Sequence, residues 1–246
     1  TSNDNFIEVD QNGNNNSIIQ EVFDTRHVRL NAEQIGNSNV VEQIVHFSKK
    51  QIGGSIFQEG DSNTARQILD GGKNLGSWHS TDLYHDDIDI YQIGDANLAE
   101  QNITGNNSSS IIWQDGVITQ EGVNNITALA QLGDDNEVSL KQYNDDNEFY
   151  FYQTGNNNQL KGVNENSGNL TFDESSSAQQ FNGATLYAYQ NGDNNKIGLR
   201  QGANDSAVIE QDGNNNEALL YQYGGNVNTA NIVQTGNSNY AEVCQN

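Results

Sequence analysis

The sequence predicts an all-β chain, a β-solenoid of strand-turn-strand coils of about 22 residues stacked in cross-β fashion, and three observations predict it. Glutamines recur at a spacing of 11, as at Gln131, Gln142 and Gln153. Glycine follows most of these glutamines by two residues and asparagine by five. From each such Asn to the next Gln, side chains alternate with a period of two, which is the period of a strand.

The three-residue signature occurs ten times along the chain. The copies are Gln11, Gly13, Asn16; Gln34, Gly36, Asn39; Gln58, Gly60, Asn63; Gln92, Gly94, Asn97; and Gln120, Gly122, Asn125. They continue at Gln131, Gly133, Asn136; Gln153, Gly155, Asn158; Gln190, Gly192, Asn195; Gln211, Gly213, Asn216; and Gln234, Gly236, Asn239. Gln142 with Asn147, Gln201, Gln222 with Asn228, and the closing Gln245 are incomplete copies. Strands are read between them because Val138 and Leu140, Phe149 and Phe151, Ile197 and Leu199, Ala218 and Leu220, and Ala241 and Val243 all lie at even offsets from the preceding Asn. Four residues rich in Gly, Asn and Asp then reverse the chain, since Gly and Asn accept the positive φ of tight turns. Two units close a coil: Gln131 to Gln153 and Gln92 to Gln114 span 22 residues, Gln201 to Gln222 spans 21 and Gln211 to Gln234 spans 23. Early repeats carry a further Gln four after the Asn, at Gln20, Gln43, Gln67 and Gln101, and the even offset keeps it on the inner face.

Composition fits this reading. The mean hydropathy is -0.77 and 33% of residues are hydrophobic, too few for a conventional core, so the interior must be partly polar. Stacking coils at about 4.8 Å sets Gln over Gln and Asn over Asn, where amide ladders satisfy donors and acceptors. Without partners each buried amide would cost about 1–3 kcal/mol. Proline is absent, so every residue can donate to a backbone ladder. A net charge of -23 argues against nucleic acid and anionic membranes as partners, and no apolar run approaches the ~18 residues that span a bilayer. One Cys excludes a disulfide framework. The start at Thr1 rather than Met reads as a mature product freed of a signal peptide. Residues 1–246 are expected to form a single solenoid domain, with a protruding loop at 70–87 and a degenerate coil at 161–183 that retains Asn169 and Gln180.

No catalytic, cofactor-binding or metal site is expected. His79, Asp82, His85, Asp86 and Asp87 are metal-capable, but a solvated polar loop accounts for them better. Asp134 with Asp135 and Asp145 with Asp146 sit where turns favour Asp. With the motif Gln inward, Trp113, Tyr150, Tyr152, Tyr187, Tyr189, Tyr221, Tyr223 and Tyr240 point outward, either as strand-pair stabilisers or as an adhesive stripe, and Cys244 is an outward free thiol.

The pattern Gln-x-Gly-x-x-Asn-x-(small or apolar)-x-x-x-Gln resembles the repeat of curlins, the subunits of bacterial curli fibres, over nearly the whole chain. The resemblance implies a secreted solenoid that is nucleated at the cell surface and added end to end. The expected partners are therefore further copies of the chain in a head-to-tail polymer, with a nucleator and secretion or chaperone proteins. The expected place is an extracellular, cell-surface fibre of a biofilm matrix, serving adhesion and cohesion. Departures are the short segment before the first repeat and the loss of the initial Ser of many curlin repeats. The competing reading is a monomeric secreted solenoid adhesin that binds carbohydrate or ice.

Overall fold

The computed structural model describes residues 5–22, 28–45, 52–72, 88–106, 116–134, 136–166, 169–224 and 226–245. Every regular element among them is a strand. In chain order these are β1 (Asn5–Asn12), β2 (Ser17–Val22), β3 (Val28–Ile35), β4 (Val40–Val45), β5 (Ile52–Glu59), β6 (Thr64–Gly72) and β7 (Ile88–Ile93). Next come β8 (Leu98–Asn106), β9 (Gly116–Glu121), β10 (Ile126–Leu132), β11 (Glu137–Tyr143), β12 (Glu148–Thr154), β13 (Gln159–Asn166) and β14 (Asn169–Asp173). The chain ends in β15 (Ala178–Phe181), β16 (Thr185–Asn191), β17 (Lys196–Gln201), β18 (Ser206–Asp212), β19 (Glu217–Gln222), β20 (Thr229–Thr235) and β21 (Tyr240–Gln245).

Two parallel sheets result. The odd sheet runs β1-β3-β5-β7-β9-β11-β13-β17-β19-β21, and the even sheet runs β2-β4-β6-β8-β10-β12-β16-β18-β20. Outside β13 to β15, successive strands of the chain lie in opposite sheets, so the fold is a parallel β-solenoid. Its register aligns like on like: Gln11 with Gln34, Gln131 with Gln153, Gln201 with Gln222 and Gln211 with Gln234. The core is one apolar column between the sheets, including Ile56, Leu140, Phe149, Leu186, Ile197 and Leu220, all fully buried.

The turns explain the motif. Each motif Gly has φ between +102° and +131°, and among the described residues the one before the motif Asn is also left-handed, as at Asn157 (φ 55°) and Asn215 (φ 57°). That second position is Asn or Ser in most coils but Ala at Ala96, φ 55°. Left-handed backbone costs a residue with a Cβ about 1–2 kcal/mol, less for Asn. Ala96→Asn is therefore expected to raise the unfolding free energy by about 0.5–1 kcal/mol, measured by denaturant titration.

Two expectations are corrected, and one gains a cover. Gln92 pairs with Gln120, not Gln114, so this coil spans 28 residues. Gln114 lacks an Asn five residues on, whereas Gln120 has both Gly122 and Asn125 to make the turn. Residues 161–183 do not make a coil of their own. β13 leaves the odd sheet at Gly162 and pairs antiparallel with β14 from Gly162↔Asp173 to Asn166↔Asn169, a hairpin inserted into one strand position. The strand resumes as β15 between β11 and β17, with Gln142↔Gln180 and Gln180↔Gln201. Asn169 thus sits near the hairpin tip, not in a ladder. Finally, Tyr221 points out of the solenoid but is 9% exposed, because the hairpin folds back over it with Val163, Leu170 and Leu219. Gly198 gives the hairpin room: a Cβ there would lie 2.8 Å from Leu219 Cδ2 and 3.2 Å from the Gly162 carbonyl oxygen. Of the expected loop at 70–87, residues 70–72 extend β6 and pair with residues 104–106. The remainder, with His79, Asp82, His85, Asp86 and Asp87, lies outside the described residues, as does Trp113.

Candidate functional site

The chemistry of this chain is concentrated in its stacked amides. On the odd sheet ten glutamines form one column: Gln11, Gln34, Gln58, Gln92, Gln120, Gln142, Gln180, Gln201, Gln222 and Gln245. Each donates from Nε2 to the Oε1 of the next at 2.7–3.1 Å, always in the same direction. The other N–H reaches across the coil to the first residues of the facing strand. Gln58 Nε2 donates to the Val40 oxygen at 3.2 Å, Gln120 to Leu98 at 3.0 Å and Gln222 to Ser206 at 3.3 Å. One side chain therefore ties its coil both to the next coil and to the opposite sheet.

The even sheet carries two shorter columns. Gln20, Gln43, Gln67 and Gln101 form one, and Gln131, Gln153, Gln190, Gln211 and Gln234 the other. Between them the position moves by two residues, since Gln101 aligns with Leu129 and Ile103 with Gln131. At this step Gln131 Oε1 is buried without a hydrogen-bond partner among the described residues, as is Gln20 Oε1 at the start of the earlier column. Such an acceptor costs about 1–3 kcal/mol.

The motif Asn and Gly act as a pair. Asn158 Nδ2 donates to the Gly192 carbonyl of the next coil at 2.8 Å, and Asn195 donates its backbone N–H to Asn158 Oδ1 at 3.0 Å. Asn63, Gly94 and Asn97 repeat the arrangement at 2.7 and 3.0 Å. The accepting carbonyl lies where a Cβ on the preceding motif Gly would project, so these turns require Gly where another coil is stacked on them; Asn144, with φ 63°, takes the position in the Gln142 copy. Asn39, Asn97, Asn125, Asn136, Asn147, Asn158, Asn195 and Asn216 are all buried, while Asn16, Asn228 and Asn239 in the outer coils are half-buried.

Two positions in these columns escape the motif. Ala184 takes an Asn position and donates its N–H to Asn147 Oδ1 at 3.1 Å. Asp205, 1% exposed, replaces an Asn in a turn one residue short, and its carboxylate accepts from the Gly202 and Asn228 amides at 2.9 and 2.8 Å. The first was hidden by its lack of an amide; the second stood in the alternation Asp205, Ala207, Ile209, Gln211.

Outside the solenoid, Tyr150 stacks on Tyr187 (4.9 Å between centroids) and Tyr152 on Tyr189 (5.6 Å). Burial, Glu148 and Tyr187 raise the Tyr150 phenol above its ordinary value. Tyr240 is pushed up to about 12 by burial and by its hydrogen bond to Glu242. Cys244 is an exposed free thiol. Among the described residues no cluster of His, Cys, Asp or Glu could hold a metal ion.

The fold and its interior define a class: a parallel β-solenoid whose coils are joined by glutamine and asparagine ladders. Residues 117–143 and 202–226 match the curlin-associated repeat, so these two stretches of the solenoid are similar to curlin-type repeats. No curated protein matches the sequence. The two matched stretches contain Gln120, Gln142 and Gln222 of the ten-glutamine column, and Gln131 and Gln211 of the second even-sheet column.

Proposed function

We propose that the chain is a structural subunit that adds head to tail to copies of itself, forming an extracellular amyloid-type fibre of a biofilm matrix or cell surface that serves adhesion and cohesion. The single direction of the ten-glutamine column carries this reading. A column that opens on an Oε1 at Gln11 and closes on an Nε2 at Gln245 is continued by another copy placed on either end.

The backbone of the odd sheet supports the same joint. Glu217 and Tyr223 donate their amides to the Asn239 and Gln245 carbonyls, so in this parallel ladder Tyr240, Glu242 and Cys244 turn their amides to the free edge. Gly36 donates to the Asn12 carbonyl, so at β1 the odd-numbered residues face the free edge. Aligning Gln11 of one copy on Gln245 of another brings these two sets opposite each other. The interface joins different ends of identical molecules and does not close, so it propagates a fibre. The described strands supply ten levels to the odd sheet and nine to the even sheet, so this joint leaves one strand position open on the even sheet. The seam of this reading is the odd sheet. A nucleator and export proteins are the further partners it implies.

Electron microscopy of the purified chain, with seeded growth at low and moderate ionic strength, tests the reading. Filaments are expected, growing faster with salt, because ions screen the repulsion between subunits of net charge -23 over about 8 Å at physiological strength. Dispersed rods at every ionic strength would instead favour the monomeric adhesin.

A further inference from the structure

We propose that the outer face of the even sheet, around Tyr150, Tyr152, Tyr187 and Tyr189, binds arginine-rich segments of a basic partner, with guanidinium groups lying against the tyrosine rings. This inference does not rest on fibre formation.

The four tyrosines form two columns along the stacking direction, with interplanar angles of 8° and 4°. Residues two apart on a strand put the columns about 7 Å from each other. Beside them Ala128 and Ala130 lower the surface, and the result is a groove of about 460 Å³ that reaches from Glu100 on β8 to Glu210 on β18. Five strands at about 4.8 Å make it ~19 Å long, the span of an extended peptide of about six residues. Carboxylates stand at both ends of the groove, and Glu148 lies on the same face two residues before Tyr150.

Charge selects the occupant. Among the described residues the even sheet's outer face has one cation, Arg66, and it is held between Glu42 at 2.7 Å and Glu100 at 2.9 Å. The opposite sheet shows how this chain fills an aromatic array from within. The Arg200 guanidinium carbon lies 5.9 Å from the Phe181 centroid, 5.7 Å from Tyr221 and 5.3 Å from Tyr223. No side chain of the chain plays that part for the even-sheet tyrosines among the described residues. Arginine suits the site better than lysine, because its planar, weakly hydrated cation stacks on aromatic faces. The net charge of -23 steers basic chains toward the surface. A neutral sugar polymer would also stack on tyrosine but gives no role to the flanking carboxylates.

The experiment titrates the full chain with an oligo-arginine peptide, an oligo-lysine peptide of equal length and a neutral β-glucan oligosaccharide, at moderate ionic strength. The arginine peptide is expected to bind several-fold more tightly than the lysine peptide. The double variant Tyr150→Leu with Tyr187→Leu is expected to lose about tenfold of that affinity and the preference with it. Ala130→Lys, an outward change, places a fixed cation in the groove and is expected to abolish arginine binding, while Ile19→Lys adds the same charge to the same sheet face three strands away from Glu100 and leaves binding intact. Circular dichroism establishes that each variant folds, and Ala130→Lys decides the matter if the tyrosine variant does not. Equal binding of the two basic peptides, binding unaffected by Ala130→Lys, or binding of the glucan in place of the arginine peptide would each overturn the proposal.

Discussion

Gly213→Ala is expected to destabilise the chain by about 1–3 kcal/mol more than Gly236→Ala, although the two glycines occupy the same turn position in successive coils. Their backbone strain is common to both, with φ at +121° and +102°, so the left-handed penalty cancels in the comparison. What differs is the coil above. A Cβ on Gly213 would lie 2.7 Å from the Gly236 carbonyl carbon and overlap its oxygen, the same oxygen that accepts from Asn216 Nδ2 at 2.9 Å. On Gly236 the nearest atom to a Cβ is Asn239 Nδ2 at 3.8 Å, an ordinary contact. Relief at Gly213 requires two backbones to part, which stretches the Asn216 bond and the flanking strand ladder together. Denaturant titrations of the two variants, with equal slopes to establish a common unfolded state, give the difference directly. Equal losses would mean that the coils separate freely at the turn and that the glycine serves its own φ alone.

The comparison shows which parts of the fold are legible in a single sequence. Period-two alternation and the Gln-x-Gly-x-x-Asn spacing specify strands, turns and inward faces because one coil repeats the next, and each repeat is a fresh reading of the same geometry. Where a coil departs from the repeat, that redundancy is lost. Gln114 has the usual span of 22 from Gln92 but no Asn five residues on, and Gln92 pairs with Gln120. The hairpin at β13–β14 was invisible because an insertion that leaves the solenoid and returns at Ala178 preserves no spacing across itself. Its burial of Tyr221 followed from contacts about 50 residues apart in sequence, in the cluster that joins Val163 and Leu170 to Leu219 and Tyr221, that no local pattern encodes. The two-residue shift between Gln101 and Gln131 is different: both offsets from the Asn are even and both were read as inward, but only the register reveals that they do not meet.

The direction of backbone amides is the other quantity that side-chain parity leaves open, and it decides the second large effect. Cys244→Pro is expected to leave folding close to that of the starting chain but to slow fibre elongation by tenfold or more, while Cys244→Ser changes neither. Parity places Val243 and Gln245 inward, and the structure adds that the amides of Asn239, Ala241, Val243 and Gln245 face β19 while those of Tyr240, Glu242 and Cys244 face the free edge. A proline at Ala241 would thus break a bond within the subunit and confuse folding with growth. At Cys244 the lost N–H has no partner among the described residues of the subunit, the side chain is exposed, and the proline ring projects into the space of an incoming β1. Against that β1, with Gln11 on Gln245, the Cys244 amide would have met the Val9 carbonyl. Losing one ladder bond of about 0.5–1.5 kcal/mol and adding a steric block together correspond to at least tenfold in rate. Thermal melts of the soluble chain and growth from starting-chain seeds separate the two quantities. Elongation of Cys244→Pro at the starting rate, with normal melting, would show that β21 is not the edge on which subunits add.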